Sequence, residues 1–262
     1  MSTVVSLWRY PVKSMMGEEL RATKVTEKGI QGDRASALVD VETRKIVSAK
    51  NPKRWPNMFS FRSRYNDLDN SSNVQITLPD GSTINSDDEN VNSALSAALG
   101  REVEFISQVP NDPQLEEYWP DIEELDNRDV VTDEDMPKGT FYDLAIIHLL
   151  TTSTLDELTR LYPEGRFEAK RFRPNIILNT EEKGFVESGW VGKTITIGEE
   201  VKLKITDHCP RCVMTTLNQG DLPKDNKILR TAAQHNEAHV GVYAEVIQGG
   251  TIRCDDVVCV SD

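Results

Sequence analysis

The stretch His208-Cys209-Pro210-Arg211-Cys212-Val213-Met214-Thr215-Thr216 places two thiols three residues apart, with a guanidinium beside the second thiol. Apolar runs that favour β-strands flank the stretch on both sides. A thiolate is a soft metal ligand and a nucleophile, and an adjacent permanent cation lowers the pKa of a thiol toward that form. The stretch therefore predicts a metal thiolate or a reactive cysteine within a β-rich region.

Other interpretations of this stretch are less well supported. A zinc knuckle would need two further ligands, and the available His208, His235, His239, Cys254 and Cys259 include no second close pair. A thioredoxin-like redox pair would be followed by a helix, whereas residues 213–217 predict another strand. If both cysteines were only buried core residues, the charge of Arg211 between them would be costly to bury. The zinc site stays open as an alternative.

Length and charge limit the class of protein. The 262 residues are enough for one or two domains, and the net charge of −13 argues against general nucleic-acid binding. All four cysteines lie in the last quarter of the chain, which suits a reducing compartment better than a disulfide framework. No segment is apolar enough to cross a bilayer. We expect a soluble cytoplasmic protein without membrane or nucleic-acid partners.

The negative charge is concentrated in one segment. Between Asp112 and Met136 there are eleven acids and one base, a net charge of −10. Prolines at 110, 113, 120 and 137 are expected to break any regular element there. Residues 109–138 are therefore predicted to be a solvated acidic connector, with a docking surface for a basic redox partner as the minor alternative.

The connector separates two regions rich in short strands. Before it, strands are predicted at residues 4–7, 37–41, 58–61, 74–78 and 103–106, with a short helix at 91–99. After it, they are predicted at residues 145–149, 175–179, 194–197, 201–205, 213–217, 240–246 and 257–260, with a helix capped by Thr152 and Ser153. The prediction is a mostly β protein with a few helices, forming a β-barrel domain over residues 1–108 and a second over residues 139–262.

Polar side chains lie where several of these strands meet turns. Lys13 and Ser14 follow the first strand, and Arg34 follows Gly32 and Asp33. The segment Arg171-Phe172-Arg173-Pro174-Asn175 puts two guanidinium groups on one side of an extended chain. Thr152 and Ser153 lie at a predicted helix N-terminus, which favours an anion. Each alone is more often a surface residue, a salt-bridge partner or an N-cap, but together they resemble a receptor for a phosphate and a heterocycle.

These motifs, in this order, resemble the MOSC proteins, named for the molybdenum cofactor sulfurase C-terminal domain. The motifs are Tyr-Pro-Val-Lys-Ser at residues 10–14, Gly-Asp-Arg at 32–34, Arg-Phe-Arg-Pro-Asn at 171–175 and Cys-Pro-Arg-Cys-Val-Met-Thr-Thr at 209–216. Within the family, the chain resembles the branch of the mitochondrial amidoxime-reducing component and the bacterial reductases of N-hydroxylated bases. The resemblance covers nearly the whole chain and implies an N-terminal β-barrel domain followed by the MOSC β-barrel domain.

The resemblance also implies a cofactor site. Cys212 would be the catalytic thiolate that ligates molybdenum, and Cys209 would only support it. Arg211 would contact the pterin of the molybdenum cofactor, a molybdenum–molybdopterin. The remaining cofactor contacts implied are Lys13, Ser14, Arg34 and Arg173 for the phosphate and pterin edge, with hydrogen bonds from Asn175, Thr152 and Ser153.

The activity implied is reduction of N-hydroxylated or N-oxygenated compounds, such as hydroxylamines and amidoximes. The sequence shows neither the ferredoxin domain nor the membrane anchor found in some relatives, so electrons are expected from a separate ferredoxin-, flavoprotein- or cytochrome-type protein. Two alternatives remain open at this point. One is a carrier that holds molybdopterin, or a persulfide on Cys212, and delivers it to another enzyme; the other is a structural zinc protein.

Overall fold

The computed structural model describes residues 2–66 and 73–261. Its strands, numbered in chain order, are β1 Ser2–Arg9, β2 Glu18–Leu20, β3 Ala22–Thr26, β4 Gly29–Ile30, β5 Ala37–Asp40, β6 Arg62–Tyr65, β7 Val74–Thr77, β8 Thr83–Asn85, β9 Val103–Ile106, β10 Gln114–Trp119, β11 Val130–Asp135, β12 Ile147–Thr151, β13 Ile176–Asn179, β14 Thr194–Ile197, β15 Val201–Pro210, β16 His239–Gln248, β17 Gly250–Arg253 and β18 Val257–Ser261. The α-helices are α1 Val91–Leu99, α2 Thr152–Leu161 and α3 Lys227–Asn236. Single 3-10 turns lie at Met58–Ser60, Ala169–Arg171, Val186–Trp190 and Val213–Thr216.

Seven strands close into a barrel in the order β13-β12-β16-β15-β14-β18-β1, with β1 pairing back onto β13. Only β12 and β13 run parallel among these pairs. Period-two alternation decides which side chains point inward: on β15, Val201, Leu203 and Ile205 are fully buried, whereas Lys202 is exposed. The mostly β fold with a barrel is thus confirmed.

The first strand of the chain belongs to the barrel of its second half. Val4 pairs with Leu178 and Leu7 with Ile176, while β3 pairs with β17. The barrel core therefore cannot close without residues from both ends of the sequence. Domain boundaries at residues 108 and 139 stay a prediction.

A second core lies beside the barrel. It is built from the 3-10 turn at Met58–Ser60, the meander β6-β7-β8, helix α1 and strand β9. Met214 is buried in this second core, and Cys212 packs against it. Since β15 is a barrel strand that runs up to Pro210, the cysteine motif crosses from one core to the other.

Two predicted strands are wrong. Residues 58–61 and 213–217 form 3-10 turns, at Met58–Ser60 and Val213–Thr216. In the second turn, the hydroxyl of Thr215 donates to the carbonyl of Cys212 (3.0 Å) and that of Thr216 to the carbonyl of Val213 (2.7 Å). These local bonds hold a turn despite the β preference of valine and threonine. Because the motif is followed by a helical turn, the argument against a redox pair from a continuing strand also fails.

The expectation of an irregular acidic connector is wrong as well. Strands β10 and β11 form an antiparallel hairpin, with Gln114 opposite Asp135 and Trp119 opposite Val130. The four prolines lie outside the two strands, so they bound the hairpin rather than break it. Leu115, at 1% exposure, anchors it in a small core with Met136. We call residues 112–136 the acidic hairpin.

The helices include one that the sequence did not indicate. Helix α1 has the predicted bounds, but α3 at Lys227–Asn236 was not predicted. None of the helices within the described ranges is long and apolar enough to span a membrane.

Gly241, beside β12, offers a direct test of the barrel packing. A Cβ at this position would lie 2.3 Å from Nε2 of His148 and 2.5 Å from the carbonyl oxygen of Leu149, at φ +85°. Gly192 is a matched control, with φ +87° and no atom within 4 Å of an added Cβ. We expect Gly192→Ala to lower the free energy of unfolding by about 1–2 kcal/mol through backbone strain alone. Gly241→Ala should lose about 1–3 kcal/mol more through overpacking. Equal losses in urea unfolding would contradict this packing.

Candidate functional site

A cavity of about 660 Å³ lies where the barrel, the second core and the acidic hairpin meet. Seven of the nine residues predicted for the cofactor site line it. They are Lys13, Ser14, Arg34, Arg173, Asn175, Arg211 and Cys212. Residues separated by up to 199 positions in sequence (Lys13 to Cys212) are thus brought to one place.

Cys212 directly precedes the Val213–Thr216 turn and is only partly buried. Burial raises the pKa of its thiol to about 12, and the nearby carboxylate of Glu117 adds to this effect, whereas Lys50 and Arg211 oppose it. The expectation that Arg211 would give a low thiol pKa is therefore wrong for the protein alone. Its guanidinium instead donates to Sγ of Cys209 and to the carbonyl of Phe172 (2.7 Å).

Arg171 does not line the cavity but holds the turn that carries Cys212. Its side chain is fully buried and donates to four backbone carbonyls. The acceptors are Arg166 (2.7 Å), Thr215 (3.2 Å), Leu217 (3.2 Å) and Pro223 (2.9 Å). The side chain of Arg171 thus serves backbone carbonyls rather than the salt bridge that the sequence alone would favour.

Arg173 and Arg34 flank one tyrosine ring at the bottom of the cavity. The guanidinium carbon of Arg173 lies 4.2 Å from the Tyr10 ring centroid and that of Arg34 lies 4.9 Å from it. Burial and the neighbouring charge of Arg34 lower the pKa of Arg173 to about 10. Burial alone would lower the pKa of Arg34, but the adjacent carboxylate of Asp33 stabilises its charge, and the pKa is raised overall. Arg173 is thus a buried cation that lacks full compensation.

Three of the residues predicted to hold the cofactor have left-handed backbones. Ser14 (φ 64°), Arg34 (φ 46°) and Arg173 (φ 54°) all adopt this conformation. Each such non-glycine residue costs on the order of 1–3 kcal/mol and persists where the surroundings impose it, which happens often at functional sites. The strain at all three positions is consistent with a site built for a ligand.

Two lysines complete the positive floor of the cavity. Nζ of Lys13 donates to the carbonyl of Phe141 (2.9 Å) and to Asp143. Lys50, which was missed from sequence, lies 2.9 Å from Glu117 of the hairpin. It directly follows Ile46-Val47-Ser48-Ala49, a short and mostly apolar stretch, so the same criterion of a base at the end of a strand-like run would have found it.

Asn175 and His148 line the cavity, but their side chains already form hydrogen bonds within the protein. The Asn175 amide accepts from the backbone N–H of His148 (3.1 Å) and donates to Asp33 (3.0 Å) and to the carbonyl of Trp8 (3.3 Å). Burial lowers the pKa of His148 to about 3, so this histidine is neutral. Asn175 therefore braces the cavity wall rather than offering free hydrogen bonds.

Thr152 and Ser153 do not reach the cavity, contrary to the sequence expectation. Ser153 donates to the carbonyl of Glu182, and Thr152 donates to Asn179 (3.2 Å). The N-cap of α2 is Thr151. The buried carboxylate of Glu187 accepts from the hydroxyls of Thr151 (2.6 Å) and Thr154 (2.7 Å). The anion position at this helix N-terminus is thus filled by the protein's own side chain.

A zinc site finds little support in this geometry. Across the described part of the chain, no three side chains of His, Cys, Asp or Glu are grouped so that they could hold a metal ion. His208 and His239 stack with ring centroids 5.0 Å apart, and all four cysteines are free thiols. The zinc-knuckle alternative therefore lacks its ligand set there.

Family comparisons agree with the fold. A model of the MOSC N-terminal beta barrel domain matches residues 1–107, and a model of the MOSC domain matches residues 137–259. The chain therefore belongs to the MOSC family, which confirms the resemblance carried by the sequence motifs. It is 26% identical over 241 residues to mitochondrial amidoxime reducing component 2 of Rattus norvegicus, covering 82% of this chain and 67% of that protein. The solved structure of the YuaD protein from Bacillus subtilis shares the fold, with a TM-score of 0.52, 12% identity and coverage of 99% of this chain and 96% of that chain.

Replacing Arg171 should unfold the Cys212 turn. Arg171→Met leaves four carbonyls without their donor, and each buried unsatisfied group costs about 1–3 kcal/mol. We expect the free energy of unfolding to fall by at least about 3 kcal/mol in urea titrations. Lys170→Met is the matched control, since Lys170 makes only salt bridges, to Glu168 and Asp221, worth about 0–1 kcal/mol. A loss of stability no larger than that of the control would show that the clamp is dispensable.

Proposed function

We propose that the protein is a molybdenum-cofactor-dependent reductase of N-hydroxylated or N-oxygenated compounds, in which the Cys212 thiolate ligates molybdenum. The observation that carries the proposal is the cavity itself, where five basic side chains surround one accessible thiol. The five are Lys13, Arg34, Lys50, Arg173 and Arg211. The similarity to a protein named as an amidoxime reducing component supports the substrate class.

The residues of the cavity fit an anionic pterin cofactor. Arg173 is a buried cation whose charge is disfavoured by its surroundings, so a phosphate beside it would relieve that cost. Among the residues that the structure describes, Nε of Arg211 is buried and has no hydrogen-bond partner, which leaves a donor for the pterin. In the proposed site, Lys13, Ser14, Arg34 and Arg173 hold the phosphate and pterin edge. Thr152 and Ser153 have no part in it.

The protein's own groups prepare the thiol. Binding to a metal replaces the proton of Cys212, and the charges of Lys50 and Arg211 favour the resulting thiolate. The 3-10 turn held by Arg171 fixes the direction of the sulfur. Arg211, which lines the cavity, is held in place by its contacts with Cys209 and Phe172.

The cofactor, when bound, would supply the two-electron redox chemistry for reduction of the substrate. The balance is R–NHOH + 2 e⁻ + 2 H⁺ → R–NH2 + H2O: the N–O bond breaks, two protons are consumed and the oxygen leaves as water. Electrons come from a separate ferredoxin-, flavoprotein- or cytochrome-type donor.

Turnover tests this proposal directly. Protein loaded with molybdenum cofactor and given a chemical reductant should reduce benzamidoxime to benzamidine. Chromatography of the product measures the rate. Cys212→Ala should abolish turnover because the metal loses its protein ligand. Cys259→Ala, which removes an exposed thiol on β18, should retain it. Loaded protein that shows no turnover but restores activity to a cofactor-free molybdoenzyme would support the carrier function instead.

Arg173 should matter for retention of the cofactor. We expect Arg173→Ala to lower the molybdenum and pterin content of purified protein by about tenfold or more, since a buried charge-assisted contact is lost. The pterin content is measured by releasing the pterin and quantifying its fluorescent oxidation product. Arg160→Ala removes an exposed guanidinium and is the control. Arg173→Lys should retain more molybdenum and pterin than Arg173→Ala. Equal cofactor content in all variants would exclude Arg173 from the site.

A further inference from the structure

The charged side chains that line the cavity differ in how deeply they are buried. The floor carries the five bases named above, with Lys13 and Arg173 among the most buried at 4% and 5% exposure. Two acids of the lining, Asp143 and Glu117, pair with Lys13 and Lys50, so the bases outnumber the acids there by three. Five further acids of the lining are exposed or half-buried and so lie toward the opening, and most of them belong to the acidic hairpin. We call this set the acidic rim, and its members are Glu124, Asp126, Glu134, Asp135 and Glu237. The cavity is therefore positive at its base and negative at its opening.

The acids of the hairpin differ in whether they have a basic partner. Every one that does not line the cavity has a base within 4.0 Å. These pairs are Asp112–Lys138, Glu116–Arg54, Asp121–Arg128, Glu123–Arg230, Asp129–Lys53 and Asp133–Lys45. Charge neutralisation is thus the rule on the outer side of the hairpin.

The rim departs from that rule. In the described part of the chain, Asp126, Glu134, Asp135 and Glu237 form no salt bridge, whereas Glu124 lies 3.2 Å from Arg230. Glu134 accepts only from the hydroxyl of Thr132 (2.6 Å), and Asp135 from the amide of Gln114 (2.8 Å). The segment that otherwise pairs its carboxylates therefore leaves negative charge where a ligand would enter.

An aromatic and apolar surface lies among these acids. Trp119 lines the cavity, and its indole N–H is held by Thr132 on the neighbouring strand (2.8 Å). Leu125 and Leu144 also line the cavity, and Leu144 is 60% exposed. A fixed indole and unpaired carboxylates are the groups that bind organic cations, through cation–π attraction and charge.

We infer that the acidic rim selects organic cations, so that the preferred substrates are N-oxygenated compounds carrying a second, positively charged group on an apolar body. The deep bases hold the anionic cofactor, and the rim with Trp119 receives the positive end of the substrate. The chemistry of this inference rests on the proposed function, but the preference for cations does not. The rim acids line the cavity, which favours a small molecule over a docked basic protein as their partner.

Binding of a shape-matched pair tests the preference without turnover. Benzamidinium and neutral benzamide have nearly the same shape, and calorimetry gives both dissociation constants on the full chain. We expect benzamidinium to bind about tenfold more tightly, with the ratio shrinking as salt screens the rim. The triple variant Asp126→Asn, Glu134→Gln, Asp135→Asn should bring the ratio close to one. The control triple Asp112→Asn, Asp121→Asn, Glu123→Gln changes the net charge equally and should keep the ratio.

Turnover gives a second measurement. A benzamidoxime with a para trimethylammoniomethyl group should have a kcat/KM about tenfold higher than its uncharged neopentyl isostere, and only the rim triple should remove the difference. No preference in the wild type, or equal loss in both triples, would overturn the inference. An unchanged preference for the charged oxime in the rim triple would also overturn it. The same holds if the rim triple keeps that preference and only slows electron transfer from a basic donor protein. If neither oxime is reduced, the proposed function fails and the benzamidinium ratio still decides the role of the rim.

Discussion

The guanidinium of Arg171 is the contact on which the site most depends. It gathers carbonyls from residues 166, 215, 217 and 223, and so ties the turn after the cysteine motif to the segment that carries Arg173. Strand β15 brings the motif out of the barrel, and Met214 enters the second core. Without a buried donor at this crossing, several carbonyls would lose their partner and the direction of Cys212 would not be fixed.

Charge at the bottom of the cavity follows from the same construction. Lys13 and Lys50 have carboxylates beside them, whereas Arg173 rests on the Tyr10 ring and the carbonyl of Met15. The protein therefore keeps a buried cation that is only partly compensated, next to a thiol whose pKa burial raises to about 12. An anionic group bearing a thiophilic metal would relieve both conditions at once, since it supplies negative charge and replaces the thiol proton.

Much of the barrel was predictable because alternation of apolar residues is a local property, as in Val201, Leu203 and Ile205. The turn at Val213–Thr216 was not, because its valine and threonines favour strands and its stabilising donor, Arg171, is more than forty residues away in sequence. The hairpin could not be predicted because prolines usually interrupt strands, whereas the four prolines here only flank the two strands. Motif order led to seven residues that the structure brings together in one cavity. Thr152 and Ser153 were misplaced because Glu187, remote in sequence, fills the helix N-terminus.

The most direct test is a crystal structure of the cofactor-loaded protein with diffraction recorded on both sides of the molybdenum absorption edge. We predict one anomalous peak within bonding distance of Sγ of Cys212, with density for a phosphate against the bases of the cavity floor. Stoichiometric molybdenum that lies elsewhere, for example beside His208 and His239, would contradict the assignment of Cys212. Crystals of the loaded protein that show no cofactor density in the cavity would also contradict this assignment.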